Sequence, residues 1–385
     1  MTRFLGLDEA HLKAHGAQNT AREIELQPAA WQQTHALLRA QHERIHAFLA
    51  PLLALPERRI ILTGAGSSAY IGQCLAPELL RMLQRRIEAI ATTDLVSGPR
   101  DYLLREVPTL LVSFARSGAS PESLAAIALA DQCVDRCHHL IITCNGEGAL
   151  YLRSQGQPRR LTLLLPEITH DQGFAMTASF SSMLYAALAI FRGLKSEAER
   201  IGAVAGATTA LIAEHNEAVR ALAERSFDRV VFLGSRGFLG LANEAALKLL
   251  ELSDGAVMTS ANSPLGFRHG PKTIVNRATL VVVFVSNDPL ARKYELDLLR
   301  ELHADAAAGG LLAISAQAPD APFPIDQIVV PLLASAEDAE LLLPFVALVQ
   351  MYAFHRSLKL GNTPDTPCAS GRVNRIVKGV TIHSL

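Results

Sequence analysis

The 385-residue chain has little that would tie it to a charged surface or an oxidising compartment. Its 36 Lys and Arg nearly cancel its 37 Asp and Glu, leaving a formal net charge of −1 and a pI near 6.9. That balance offers no general attraction to nucleic acid or acidic membranes, and neither is expected as a partner. The five cysteines (Cys74, Cys133, Cys137, Cys144 and Cys368) form no CxxC pair, which reads as reduced thiols in a cytoplasmic protein. Cys133, Cys137 and His138 lie close in sequence, but with no second cluster at ligand spacing no metal is expected. The opening residues, MTRFLGLDEAHLKAHGAQ, lack the apolar core of a secretion signal. No run of 18 or more apolar residues suggests a membrane span. P-loop and G-x-S-x-G signatures are also missing, so NTP hydrolysis and α/β-hydrolase chemistry have no support.

What is present is apolar. Hydrophobic residues make up 49% and charged residues 19% of the chain, enough for a large core, and the length suits two domains. Residues 1 to about 55 read as helical, broken at Pro28 and closed at Pro51, with Trp31, the sole tryptophan, as a packing anchor. An alternation follows. Strands are expected at RIILT from Arg59, Arg86–Ala91, Thr109–Phe114, His138–Cys144 and Leu161–Leu165, with helices between them. Short apolar strands alternating with helices predict βαβ units and a parallel sheet covered on both faces.

The second half repeats the first. Arg59-Ile-Ile-Leu aligns with Arg229-Val-Val-Phe, and Thr109-Leu-Leu-Val with Thr279-Leu-Val-Val, both at an offset of 170. Leu164-Leu165-Pro166 finds its counterpart in Val329-Val330-Pro331. The loops have diverged: after the third strand the first half reads ARSGASPES and the second VSNDPLARK. A long apolar helix, ELLLPFVALVQMYAFHRSL, and a tail ending in VKGVTIH complete the chain, the tail being expected to pack back onto a domain.

Two stretches could carry chemistry. In the helix after Arg229, Glu244, Lys248 and Glu251 fall at i, i+4 and i+7, on one face of an otherwise apolar helix. An exposed ion pair is the bland reading; a carboxylate held in a semi-apolar pocket, with its pKa raised for general-base work, is the sharp one. The loop that follows holds Arg268, His269 and Gly270. In the first half, GAGSSA at Gly64–Ala69 fits the dinucleotide pattern, but the acidic residue expected after the second strand is ambiguous between Glu88 and Asp94. With Ser67 and Ser68 in one turn, and Arg116, Ser117 and Ser120 entering a helix from the third strand, hydroxyls, N–H groups and helix dipoles would converge into a phosphate-monoester site.

Together these residues resemble the sugar isomerase (SIS) domain family, in which the Gly/Ser loop, SG-x-S, A-x-E-x-ALKL-x-E and HGP recur. TAREIELQP, FARSGASPES, FRHGPK and NTPDTPCASGRVNRIVKGVTIH look more narrowly like the tagatose-6-phosphate ketose/aldose isomerase and galactosamine-6-phosphate deaminase group. The resemblance implies two tandem SIS-type doubly wound α/β domains with parallel sheets, a helical N-terminal segment and a C-terminal tail. The segments would be residues 1–50, 51–200, 201–350 and 351–385, the tail closing the active site. It implies a phosphate site of Ser67, Ser68, Arg116, Ser117, Ser120 and Thr177, with Gly66 elsewhere in the active site. Glu251 would be the base, with Glu244, Lys248 and Arg268 near it, and His269 would open the sugar ring. Lys378 matches a lysine that closes over the substrate in glucosamine-6-phosphate synthase. That enzyme has a Gln where this chain has Arg116, a Ser where it has Ala115 and a Lys where it has Ala178. The substrate is expected to be a small phosphorylated sugar, handled without a cofactor. A homodimer or homotetramer with active sites near the subunit interface is implied, His269 serving a neighbouring copy. The alternatives are an isomerase of neutral hexose phosphates, a non-catalytic sugar-phosphate sensor and a nicotinamide-dependent dehydrogenase.

Overall fold

The computed structural model describes residues 2–318, 324–377 and 379–385. They fall into two compact units, one formed by Ala30–His170, Ala178–Ala198 and Ser370–Leu385, the other by Met1–Ala29, Asp171–Thr177 and Glu199–Ala369.

The first of these units is built on a five-stranded parallel sheet of β1 (Arg59–Thr63), β2 (Ile87–Ala89), β3 (Thr109–Ala115), β4 (Cys137–Thr143) and β5 (Arg160–Leu164), in the order β2-β1-β3-β4-β5. Every residue of β1 and β3 is buried. These strands therefore read as continuous apolar runs: both faces of the sheet are covered by helices, so nothing selects for alternation. Ile61, Leu111 and Ile141 pack on one face against Ala126 and Ala130 of helix Pro121–Cys133. Helix Ala178–Arg192 is buried along almost its whole length. Trp31 is buried as expected, and its indole N–H donates to the Ser181 hydroxyl at 2.9 Å.

The other unit repeats the topology with β6 (Arg229–Leu233), β7 (Met258–Asn262), β8 (Thr279–Phe284), β9 (Gly310–Ser315) and β10 (Asp326–Val329), parallel and ordered β7-β6-β8-β9-β10. The 170-residue repeat holds in register: Arg59 faces Thr109 and Arg229 faces Thr279. The third aligned pair holds too, Leu165 N–H donating to the Thr143 carbonyl and Val330 N–H to that of Ser315. Helix Asp338–Lys359 is long and apolar enough to cross a membrane, yet 94% of that stretch is buried, which makes it a core helix.

Two expectations are corrected. Pro51 does not close a helix but lies inside His42–Leu53, whereas Pro28 sits at the second position of Gln27–Ala40, where its missing N–H costs nothing. The described residues of the tail after Gly371 form no helix or strand and are mostly exposed, so the tail belongs to its unit through contacts such as that of Arg375 with Arg116 and not as an extended element.

Candidate active site

The serine loops sit at the C-terminal ends of adjacent strands. Thr63 at the end of β1 lies opposite Ser113 of β3, so the turns that follow start side by side. The first is tight. A Cβ at Gly64 would stand 2.5 Å from that of Ser68, so only glycine lets the helix begin there. Gly66, at φ 55° and ψ −129°, then feeds helix Ser67–Leu83, whose first residues Ser67 and Ser68 are buried. The second loop leads into helix Pro121–Cys133, capped by Ser120, whose hydroxyl accepts the Ser123 N–H at 3.3 Å. The Ser117 hydroxyl accepts the N–H of Ala119 at 3.3 Å. Arg116 is buried and donates to the Arg375 carbonyl at 2.8 Å. Two long helices thus start from the ends of neighbouring strands, with two serines at the start of each or in the turn before it, an arrangement suited to a phosphate dianion. Of the two acids in the dinucleotide reading, Glu88 is engaged at the sheet: burial alone would raise it, but hydrogen bonds from Arg59 and Arg86 hold it below the usual carboxylate range, while Asp94 is exposed in the first turn of helix Thr92–Ser97.

In the other unit, helix Gly237–Leu252 brings Glu244, Lys248 and Glu251 onto one face as the spacing predicts. The stripe is not an exposed ion pair but a mostly buried one. Glu244 and Lys248 are 0% and 1% exposed, Glu251 is 23% exposed, and the Lys248 ammonium lies 3.6 Å from Glu244 and 2.5 Å from Glu251. A buried cation between two carboxylates fixes the direction of both and leaves only Glu251 reachable from solvent. Arg268 does not join them; its guanidinium pairs with Glu301 at 2.7 Å, and Lys272 pairs with Glu301 and Asp305. His269 is exposed beside Gly270, and its ring has no hydrogen-bond partner among the described residues. Lys378 lies outside the described residues.

Thr177 is buried, and both its N–H (2.8 Å) and its hydroxyl (3.0 Å) donate to Asp171. Sequence reasoning missed the knot around it. Glu23 accepts the N–H of Gln172 at 2.5 Å and that of Gly173 at 3.2 Å, while Asp365 accepts from the Thr20 N–H at 2.8 Å and hydroxyl at 2.7 Å. Burial, and then the Asp171 charge, push Glu23 well above the ordinary carboxylate range. TAREIELQP and NTPDTP had singled out these segments, but nothing in one dimension showed that Glu23 holds residues 172–173 while Asp365 holds residues 19–20.

Among the described residues, Asp131, Cys137 and His139 form a mixed donor group within 4.8 Å, not the Cys133, Cys137 and His138 set that the sequence brings together. Asp131 already takes hydrogen bonds from His139 (2.8 Å) and Arg160 (2.6 Å), and burial pushes the Cys137 thiol up to about 12, so the group reads as packing.

A fold of two parallel sheets ordered 2-1-3-4-5, with serine loops at one strand edge and a Glu-Lys-Glu helix in the repeat, is the pattern that the resemblance described. The SIS domain model matches residues 55–192, relatives match nearly end to end, and the chain belongs to the SIS-domain family. D-galactosamine-6-phosphate deaminase AgaS of Escherichia coli O157:H7 is 45% identical over 94% of this chain and 95% of its own. The protein of the same name from Shewanella sp. (strain ANA-3) is 41% identical over 98% and 95%. The crystal structure of tagatose-6-phosphate ketose/aldose isomerase from Escherichia coli superposes with a TM-score of 0.89 at 42% identity, covering 95% and 96% of the two chains.

Proposed function

We propose that this chain is a galactosamine-6-phosphate deaminase that converts the amino sugar to tagatose 6-phosphate and ammonia. The observation that carries the reading is its 41–45% identity, along almost the whole length, to proteins of that name, in a chain that has Glu251 and His269 where the family's base and ring-opening residue are expected. His269 assists opening of the pyranose. Glu251 takes the proton from carbon 2 of the open-chain aldehyde and returns it to carbon 1, through an enolamine. The C2 ketimine that results adds water and expels ammonia, leaving the ketose. A proton shuttle between neighbouring carbons needs one oriented base, and the buried Lys248 supplies the orientation. Ser67, Ser68, Ser117 and Ser120, with Arg116 beside them, recognise the phosphate, a handle remote from the reacting carbons that supplies orientation. Because both donors of Thr177 are given to Asp171, we assign it to locking residues 171–177 instead of to the phosphate. We further propose a cytoplasmic homo-oligomer, with exposed His269 serving a neighbouring copy.

The second reading, isomerisation of a neutral hexose phosphate, is favoured by the name of the Escherichia coli structure. Ammonia release from galactosamine 6-phosphate, measured beside glucosamine 6-phosphate and beside interconversion of tagatose 6-phosphate, separates the two. Release from the galacto sugar supports the deaminase, interconversion alone the isomerase, and inertness toward all three refutes both. Glu251→Gln should lower turnover at least a thousandfold with little change in phosphate affinity; near-normal turnover would remove Glu251 from its role.

A further inference from the structure

The repeat poses a question of its own: what stands, in the second copy, where the first copy is arranged to receive a phosphate? The offset of 170 carries through the first turn and the residues that leave the third strand, and slips to 168 at the cap of the next helix. Gly64 maps to Gly234, where a Cβ would stand 2.4 Å from the Phe238 carbonyl oxygen, so this turn is equally tight. Gly66 maps to Arg236, which holds nearly the same backbone angles, φ 55° and ψ −125°. That is a region open to glycine and costly to arginine, by about 1–3 kcal/mol. Ser67 and Ser68 become Gly237 and Phe238. Beyond the third strand, Arg116 and Ser117 map to Ser286 and Asn287, and the capping Ser120 before Pro121 has its counterpart in Asp288 before Pro289.

These second-copy groups already hold an anion. The Asn287 N–H donates to Asp338 Oδ1 at 2.9 Å, and the Ser286 hydroxyl donates to Oδ2 at 2.6 Å. The Arg236 guanidinium donates to the same Oδ2 at 3.2 Å and lies 3.2 Å from Asp288. A backbone N–H, a hydroxyl and a guanidinium around one carboxylate make a set of donors for an oxyanion. Here the oxyanion is covalently part of the chain.

We infer that the Asp338 carboxylate permanently occupies the second copy's oxyanion position, so that each chain offers one site for a phosphate monoester where its fold provides two. Arg236 keeps a glycine's backbone conformation because its guanidinium closes this internal contact. The inference rests on the reading that the serine loops bind phosphate only for its count of one; the occupation of the second copy by Asp338 does not.

Inorganic phosphate is the probe, titrated into the full-length protein by calorimetry and phosphorus NMR at pH 6, where Glu295, hydrogen-bonded to the Ser286 N–H and raised to about 7, largely keeps its proton. Helix Asp338–Lys359 keeps its capping box between Glu337 and Glu340 whatever stands at 338, so Asp338→Ala and Asp338→Ser both leave its start intact. The expected result is one phosphate per chain in the wild type and two in either variant. Adding Arg236→Ala should return the count to one, and Asp338→Asn, whose amide still fills the position, should stay at one. Binding of none by the wild type and one by Asp338→Ala would refute the phosphate reading of the serine loops and uphold this one. Equal counts in the wild type and both open variants would overturn it.

Discussion

Replacing Glu295 by glutamine tests how the second copy tolerates an acid in its interior. Glu295 lies on helix Pro289–Asp305, is fully buried, and accepts the Ser286 N–H at 2.7 Å. Burial raises it to about 7, against hydrogen bonds from Ser286 and Ser235 and with the Asp338 charge adding to the rise. The unfolded chain gives up this proton near the ordinary 4.5, the folded chain only near 7. The protonated side chain's contribution is therefore complete below pH 4.5 and disappears as pH climbs through about 7. A difference of about 2.5 pH units at 1.36 kcal/mol each is worth about 3 kcal/mol. Glutamine keeps a carbonyl oxygen for the Ser286 N–H and has no proton to lose. Urea unfolding followed by circular dichroism should find Glu295→Gln and the wild type alike near pH 4, and the variant more stable at pH 8 by up to about 3 kcal/mol. If the gap between the two proteins is the same at both values, Glu295 does not titrate as argued.

Two substitutions probe the strained and the buried charges. Lys248→Met leaves Glu244 buried without the ammonium beside it; breaking such a pair costs about 3–5 kcal/mol, so thermal unfolding should fall by that equivalent and turnover with it, and a loss below about 1 kcal/mol would show Lys248 to be dispensable. Arg236→Gly relieves the backbone that Arg236→Ala leaves strained, so glycine should be the more stable of the two by about 1–3 kcal/mol in the same assay; equal stability would mean the turn has relaxed.

The sheets were legible because their signal is local and repeated. Arg59 and Thr109, Arg229 and Thr279 mark strand starts at one offset, and strands buried on both faces carry that signal in every residue. The Glu244, Lys248 and Glu251 stripe was equally readable, since helical spacing alone puts the three on one face. Its burial was one of two readings the spacing left open, and only the fold chooses between them, since Glu244 and Lys248 are covered by parts of the chain that helical spacing does not show. Proline misled at Pro51, where the flanking helix tolerates the loss of one N–H. The grip of Glu23 and Asp365 on residues 172–173 and 19–20 could not be read at all, since each acid finds its donors more than a hundred residues away. Nor could the conformation of Arg236, which the sequence offers as an ordinary arginine.

The unit that contains Glu251 encloses both early and late parts of the chain, and this sets a timetable for its synthesis. Helix Gln18–Glu25 is tied by Asp365 across 345 positions, Gln27 bonds Gln350, and Asn216 bonds His355. A ribosome adding roughly 5–20 residues per second needs roughly 17–70 s to cover that span. Through that interval the first helices stand without the partners that bury them, while residues 30–170 of the other unit emerge in one uninterrupted stretch. The nascent protein is therefore half assembled for most of its manufacture, with the half that carries Glu251 closing last.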